Sequence, residues 1–191
     1  MKTSYQPQDF KRLLGMEGMS DALLSNHFTL YEGYVKNTNT VAELLAGKEP
    51  GTPEYAELKR RFGWEWDGMR LHELYFGNLT KESKPLMHDE SVVSGSLVQS
   101  FGSVEAWEKD FRAVGAMRGI GWVILAKDAE SGNLFNVWIN EHDAGHLAGA
   151  TPLLVMDVFE HAFMLDYGLK RADYIETFFK AIDWEVVEGR L

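Results

Sequence analysis

Two stretches of helical periodicity joined by a proline-rich turn set the first constraint on this chain. From Ser20 to Thr38, residues Leu23, Leu24, His27, Leu30, Tyr31 and Tyr34 recur at the spacing of one helix face, and Ser20 is placed to cap the first turn. Lys48-Glu49-Pro50-Gly51-Thr52-Pro53 then turns the chain. A second long helix starts near Pro53 or Glu54, because proline suits a first helical position. Along it Trp64, Gly68, His72, Tyr75 and Leu79 share a face. Each helix thus turns one histidine inward, His27 and His72, and the pair is expected to form an antiparallel hairpin gripping something. Gly68, one turn before His72, is expected to leave open space beside that imidazole.

The second half reads differently. Asn78 to Ser94 is polar and interrupted by Pro85, a natural boundary between the hairpin (1–88) and the remainder (89–191). Ser103-Val104-Glu105-Ala106-Trp107 has the form of a helix start. Gly121 to Ala126 and Leu134 to Ile139 are strand-like runs separated by turn-forming residues, which predicts a β-hairpin. The apolar run ending at Asp157 supplies a third strand, and aromatic-rich helices are expected from about Phe159 to the end.

Composition narrows the chemistry. The 191 residues suffice for one domain or two small ones, and 45% hydrophobic content can fill a real core. With no cysteine, any metal must be held by histidine and carboxylate, a donor set that suits Fe, Mn or Zn. A formal charge of −10 argues against a nucleic-acid partner. No run reaches the roughly 18 apolar residues of a membrane-spanning helix, so no membrane partner and a cytoplasmic address are expected.

Asp157 and His161 complete a constellation. Four residues apart in Asp157-Val158-Phe159-Glu160-His161, they would share one face of a helix turn and could aim at one ion. The plainer reading makes Asp157 a helix cap and His161 a packed core residue. Taken with His27 and His72, three histidines and one carboxylate make a plausible set for a redox ion with an open position. Physical reasoning alone does not choose among Fe, Mn and Zn.

The words Phe101-Gly102-Ser103, Gly119-Ile120-Gly121-Trp122, Asp157-Val158-Phe159-Glu160-His161-Ala162, Asp166-Tyr167 and Arg171-Ala172-Asp173-Tyr174 stand in order. With Leu71-His72 and Asn78 in helix two, and His27 in helix one, they make a chain that resembles the iron/manganese superoxide dismutases from about Ser20 onward. The resemblance implies an α+β fold, an N-terminal antiparallel helical hairpin packed on a C-terminal α/β domain with a three-stranded antiparallel sheet. It implies one Fe or Mn ion per subunit held by His27, His72, Asp157 and His161, with superoxide as substrate. It further implies a homodimer, or a tetramer, with Glu160 reaching the partner's ligand histidine and Tyr174 at the same interface. Arg171 would be the cation near the substrate channel, Tyr34 the gateway tyrosine and Trp122 a pocket wall. In the family an amide or histidine bonds to water on the ion from one of two places. Gly68 occupies one and cannot supply the bond, so His142 is the candidate, and a histidine there favours iron slightly.

Two positions depart from the family pattern. Tyr31 stands where a gateway histidine is usual, and Met164 where its tyrosine partner is usual. Tyr34 comes seven residues after His27 rather than eight, which predicts a regular first helix with Tyr34 still on the pocket face. The altered gateway leaves a second reading open, a metal-binding or redox-responsive relative with little turnover. A zinc hydrolase is a third reading, but no His-Glu-x-x-His spacing supports it.

Overall fold

Ser20 and Thr52 start the two long helices. In the computed structural model, which describes residues 4–86 and 91–191, α1 spans Asp21–Ala46 and α2 spans Pro53–Gly77. The Ser20 hydroxyl accepts from Leu23 N at 3.0 Å and the Thr52 hydroxyl from Tyr55 N at 3.3 Å, satisfying donors that a helix start leaves free. Asp166 grips Ser20 through both its N–H and its hydroxyl, at 2.7 Å each, fixing where α1 begins against the C-terminal half. Helix α1 is α-helical throughout, so the seven-residue step from His27 to Tyr34 keeps both on one face.

Two shorter helices follow, α3 (Val92–Phe101) and α4 (Val104–Gly115), the second capped by Ser103. Helix α3 was not anticipated, since Ser91 to Ser96 mixes glycine and serine with only two valines. Its start is fixed by Ser91, whose hydroxyl accepts from Ser94 N. The boundary expected between 88 and 89 lies outside the described residues.

The sheet comprises β1 (Gly121–Asp128), β2 (Leu134–Asn140) and β3 (Ala150–Asp157), all antiparallel, in the order β2-β1-β3. Central β1 is buried from Gly121 through Ala126, which accounts for its unbroken apolar run. Its register sets Trp122 opposite Asp157, so the last residue of β3 enters the site beside an indole. After β3 come α5 (Met164–Tyr167), α6 (Arg171–Lys180) and α7 (Trp184–Gly189). No described helix is long and apolar enough to cross a membrane.

Asn78 joins the halves. Fully buried at the end of α2, it donates to Val155 O at 3.2 Å and accepts from Val155 N at 2.9 Å, pairing with β3 much as a strand residue would. Arg190 adds bonds to Leu153 O and Leu74 O. One apolar core, including Phe76, Trp122, Val155 and Phe178, runs through both halves.

Candidate metal centre

Four elements deliver four donor groups. His27 comes from α1, His72 from α2, Asp157 from the end of β3, and His161 from a 3-10 turn at Glu160–Ala162. Their donor atoms all lie within 4.8 Å of one another. Asp157 Oδ2 is the hub, 3.1 Å from His27 Nε2, 3.1 Å from His161 Nε2 and 3.6 Å from His72 Nε2.

The route to the Asp157–His161 pair corrects the sequence reading. The two do not share a helix turn: the strand ends at Asp157, and the chain bends so that its other oxygen, Oδ1, accepts from Phe159 N at 2.8 Å. Asp157 is thus not a helix cap, since the 3-10 turn has Phe159 at its cap position and no side-chain cap; one oxygen holds the bend and the other faces the histidines. A strand exit followed by a 3-10 turn brings residues four apart together as effectively as an α-helix does.

The electrostatics of this cluster suit it to a cation. Burial lowers the pKa of His27, and lowers that of His72 well below the usual imidazole range with His27 adding to the effect, so both rings are neutral at neutral pH. Burial would raise the pKa of Asp157, but His161 and His27 beside it hold the carboxyl well below the usual range. His72 Nδ1 donates to Gly68 O at 2.5 Å, which leaves Nε2 as a bare lone pair. That atom is buried, has no hydrogen-bond partner among the described residues, and faces an anionic oxygen. An unsatisfied buried acceptor costs about 1–3 kcal/mol, and a lone pair aimed at a carboxylate is worse. A metal ion held by these groups would remove both penalties, and three imidazoles with one carboxylate are a donor set that suits iron, manganese or zinc.

Around this cluster sit the other sequence-predicted residues. Tyr34 stacks on His72, ring centroids 5.1 Å apart, and its hydroxyl lies 2.7 Å from His142 Nε2. His142 is buried rather than loop-exposed, and burial depresses its pKa to about 4. Trp122 packs edge-on against His72 and donates from its indole N–H to His142 Nδ1 at 3.0 Å. The space expected beside Gly68 is filled by the Tyr34 ring: a Cβ at Gly68 would lie 2.6 Å from Tyr34 Cδ1. Glycine is required there because two helices and an aromatic ring converge.

Elsewhere the placement differs from expectation. Tyr174 is fully buried and presents no surface to a partner; its hydroxyl donates to Asp157 O at 2.7 Å and lies 3.1 Å from the Tyr75 hydroxyl. The interface position expected from the resemblance therefore does not hold for its side chain within this fold. Arg171 spends its terminal nitrogens on Met117 O and Gly119 O, at 2.7 and 2.8 Å, bracing the turn into β1. Glu160 is exposed on the 3-10 turn. Tyr31 is buried, accepts from Gln8 N at 2.9 Å and donates to Glu73 Oε1 at 3.0 Å, so it links the N-terminal segment to α2 inside the protomer.

Several residues escaped the sequence reading. Phe159 stacks on both His142 and His161, at 4.9 and 5.1 Å. Trp64 packs edge-on against His142 at 4.6 Å and donates to Glu141 Oε2 at 3.2 Å. His146 Nε2 donates to His142 O at 2.8 Å. The helical face that carries Trp64 toward His72 was the one signal available for these contacts.

The geometry agrees with similarity to known proteins. Residues 89–190 match the family model for the C-terminal domain of iron/manganese superoxide dismutases. An iron superoxide dismutase of Aquifex pyrophilus is 35% identical, over 97% of this chain and 90% of that protein. A manganese superoxide dismutase of Haloferax volcanii is 35% identical, over 86% of this chain and 82% of its own length. An iron superoxide dismutase of Cupriavidus metallidurans is also 35% identical, over 89% and 87% respectively. With four donors converging from α1, α2, β3 and the turn after it, and with this similarity over nearly its whole length, the chain belongs to the iron/manganese superoxide dismutase family.

Proposed function

We propose that the protein is a superoxide dismutase using one iron or manganese ion per subunit, held by His27, His72, Asp157 and His161. The observation that carries the reading is the buried, unpartnered Nε2 of His72 facing the Asp157 carboxylate within a cluster of four donors. The chemistry that iron or manganese supplies when bound there is one-electron exchange, by which one superoxide is oxidised to dioxygen and a second, with two protons, is reduced to hydrogen peroxide. Asp157 favours the higher charge state and so lowers the potential. Trp122 and Tyr34 pack against His72 and Phe159 against His161, and the Tyr34 hydroxyl lies beside His142.

Iron is favoured over manganese by the histidine at position 142. A homodimer is favoured by the exposed Glu160 and the exposed apolar side chains of Met164, Leu165 and Leu169 that follow it. Arg171 is assigned a place near the channel through the turn it braces. The decisive experiment is superoxide decay followed by stopped flow, with metal content measured on the same preparation. Protein loaded with iron or manganese should accelerate decay far beyond an equal concentration of free metal. Decay no faster than with free metal would move the protein to the alternative reading, a metal-binding relative with little turnover, which the Tyr31 and Met164 substitutions would then explain.

A further inference from the structure

His142 holds two hydrogen-bond partners that are not equivalent. The indole N–H of Trp122 is a donor with no acceptor capacity, and it points at His142 Nδ1 from 3.0 Å. Nδ1 must therefore present a lone pair, and the single proton of the neutral ring must sit on Nε2. Nε2 faces the Tyr34 hydroxyl at 2.7 Å, so that oxygen accepts. The phenolic proton of Tyr34 is then not engaged with His142. The other faces of the imidazole are closed by apolar rings, Phe159 stacked at 4.9 Å and Trp64 edge-on at 4.6 Å. No second polar partner can share the Nε2 proton from those directions.

The geometry points to Trp122 as the residue that sets the tautomer of His142 and makes the chain Trp122→His142→Tyr34 run in one direction, with the Tyr34 hydroxyl as its free donor end. The inference rests on the reading of the site as a superoxide dismutase centre and gives Trp122 a positioning role within it. It also revises the part expected of His142. A carboxamide at this position has two N–H groups and could serve Tyr34 and a solvent molecule together. An imidazole has one, and here Tyr34 takes it. Donation into the pocket therefore falls to the Tyr34 hydroxyl alone.

Nitrogen-15 NMR of the histidine side chains in the folded protein loaded with zinc(II), which is diamagnetic, reads the tautomer directly. In the wild-type protein His142 should show an unprotonated Nδ1 and a protonated Nε2, with that form favoured by about 5- to 12-fold, as expected when one hydrogen bond of about 1–1.5 kcal/mol decides between them. Tyr34→Phe should keep that form, because the Trp122 donor remains. Trp122→Phe should let Nδ1 acquire the proton in a comparable fraction of molecules. A protonated Nδ1 in the wild-type protein would overturn the assignment, as would an unchanged single tautomer in Trp122→Phe. If Trp122→Phe does not fold, Tyr34→Phe decides: loss of the Nε2–H preference there would mean that Tyr34, not Trp122, sets the tautomer. These spectra do not depend on turnover, so absent superoxide chemistry would remove the functional reading and leave the tautomer result standing.

Discussion

The buried hydroxyl of Tyr174 donates a 2.7 Å hydrogen bond to the main-chain carbonyl of Asp157, fixing the end of β3 where the strand gives way to the turn that carries His161. Two of the four donors thus depend on one phenol in α6. Tyr174→Phe leaves that carbonyl and the Tyr75 hydroxyl short of a partner and should cost about 1–3 kcal/mol of stability. Metal affinity should fall by about 10- to 100-fold, the range seen when groups that orient ligands are removed. Urea unfolding and competition with a chelator measure the two effects.

Gly68→Ala should be destabilising by about 1–3 kcal/mol even though alanine has the higher helix propensity, because its Cβ would lie 2.6 Å from the Tyr34 ring. The added methyl must displace Tyr34 from its stack on His72 and stretch its bond to His142. A lowered thermal midpoint together with changed tyrosine and histidine resonances would show this. A more stable variant would mean that the two helices part easily.

His72→Ala and His142→Gln should separate ion binding from tuning. The first removes a donor that faces Asp157 and should empty or loosen the site. The second should leave one ion per chain while shifting its reduction potential and its Fe/Mn preference. Elemental analysis after growth with either metal, with redox titration, checks both. Equal metal loss in the two variants would contradict the assignment of His142 to a position outside the ligand set.

Acid should destabilise the metal-free protein in a defined window. His142 has a folded pKa depressed by burial to about 4, against about 6.5 in the unfolded chain. Above 6.5 neither state carries the proton and the group is neutral to stability. Between 6.5 and 4 the unfolded chain binds a proton that the folded one refuses, so stability falls with falling pH by up to about 1.4 kcal/mol per unit for each such histidine. His27 and His72 are depressed in the same direction and steepen the loss. Asp157, also held low, adds its loss only below the usual carboxylate pKa. Urea midpoints measured from pH 7.5 to 4.5 should fall, and His142→Gln should make the slope shallower.

What the sequence made legible was the part written in local period. His27 and His72 fell on inward helix faces, Ser20 and Pro53 lay where helices begin, and the three apolar runs became three strands. Asp157 and His161 were paired correctly through the wrong local geometry, because a spacing of four does not distinguish an α-turn from a strand exit closed by a 3-10 turn. Tyr174 was expected at an interface only through the resemblance, and its burial against Asp157 and Tyr75 is a tertiary fact that no local pattern around it carries. His142 depended on tertiary detail. Its inward reach requires a left-handed Glu141 with φ of 52°, the Trp64 bond to that residue, and the His146 bond to its own carbonyl. No pattern within ten residues encodes contacts that cross from α2 to the loop after β2.

Four side chains from distant parts of the chain are placed to meet at one ion. Crystals of the iron-loaded protein, measured at the iron absorption edge, should show one anomalous peak per chain within bonding distance of His27 Nε2, His72 Nε2, His161 Nε2 and Asp157 Oδ2. An iron peak elsewhere, or one bonded to the other three while the His72 imidazole faces away, would contradict that placement.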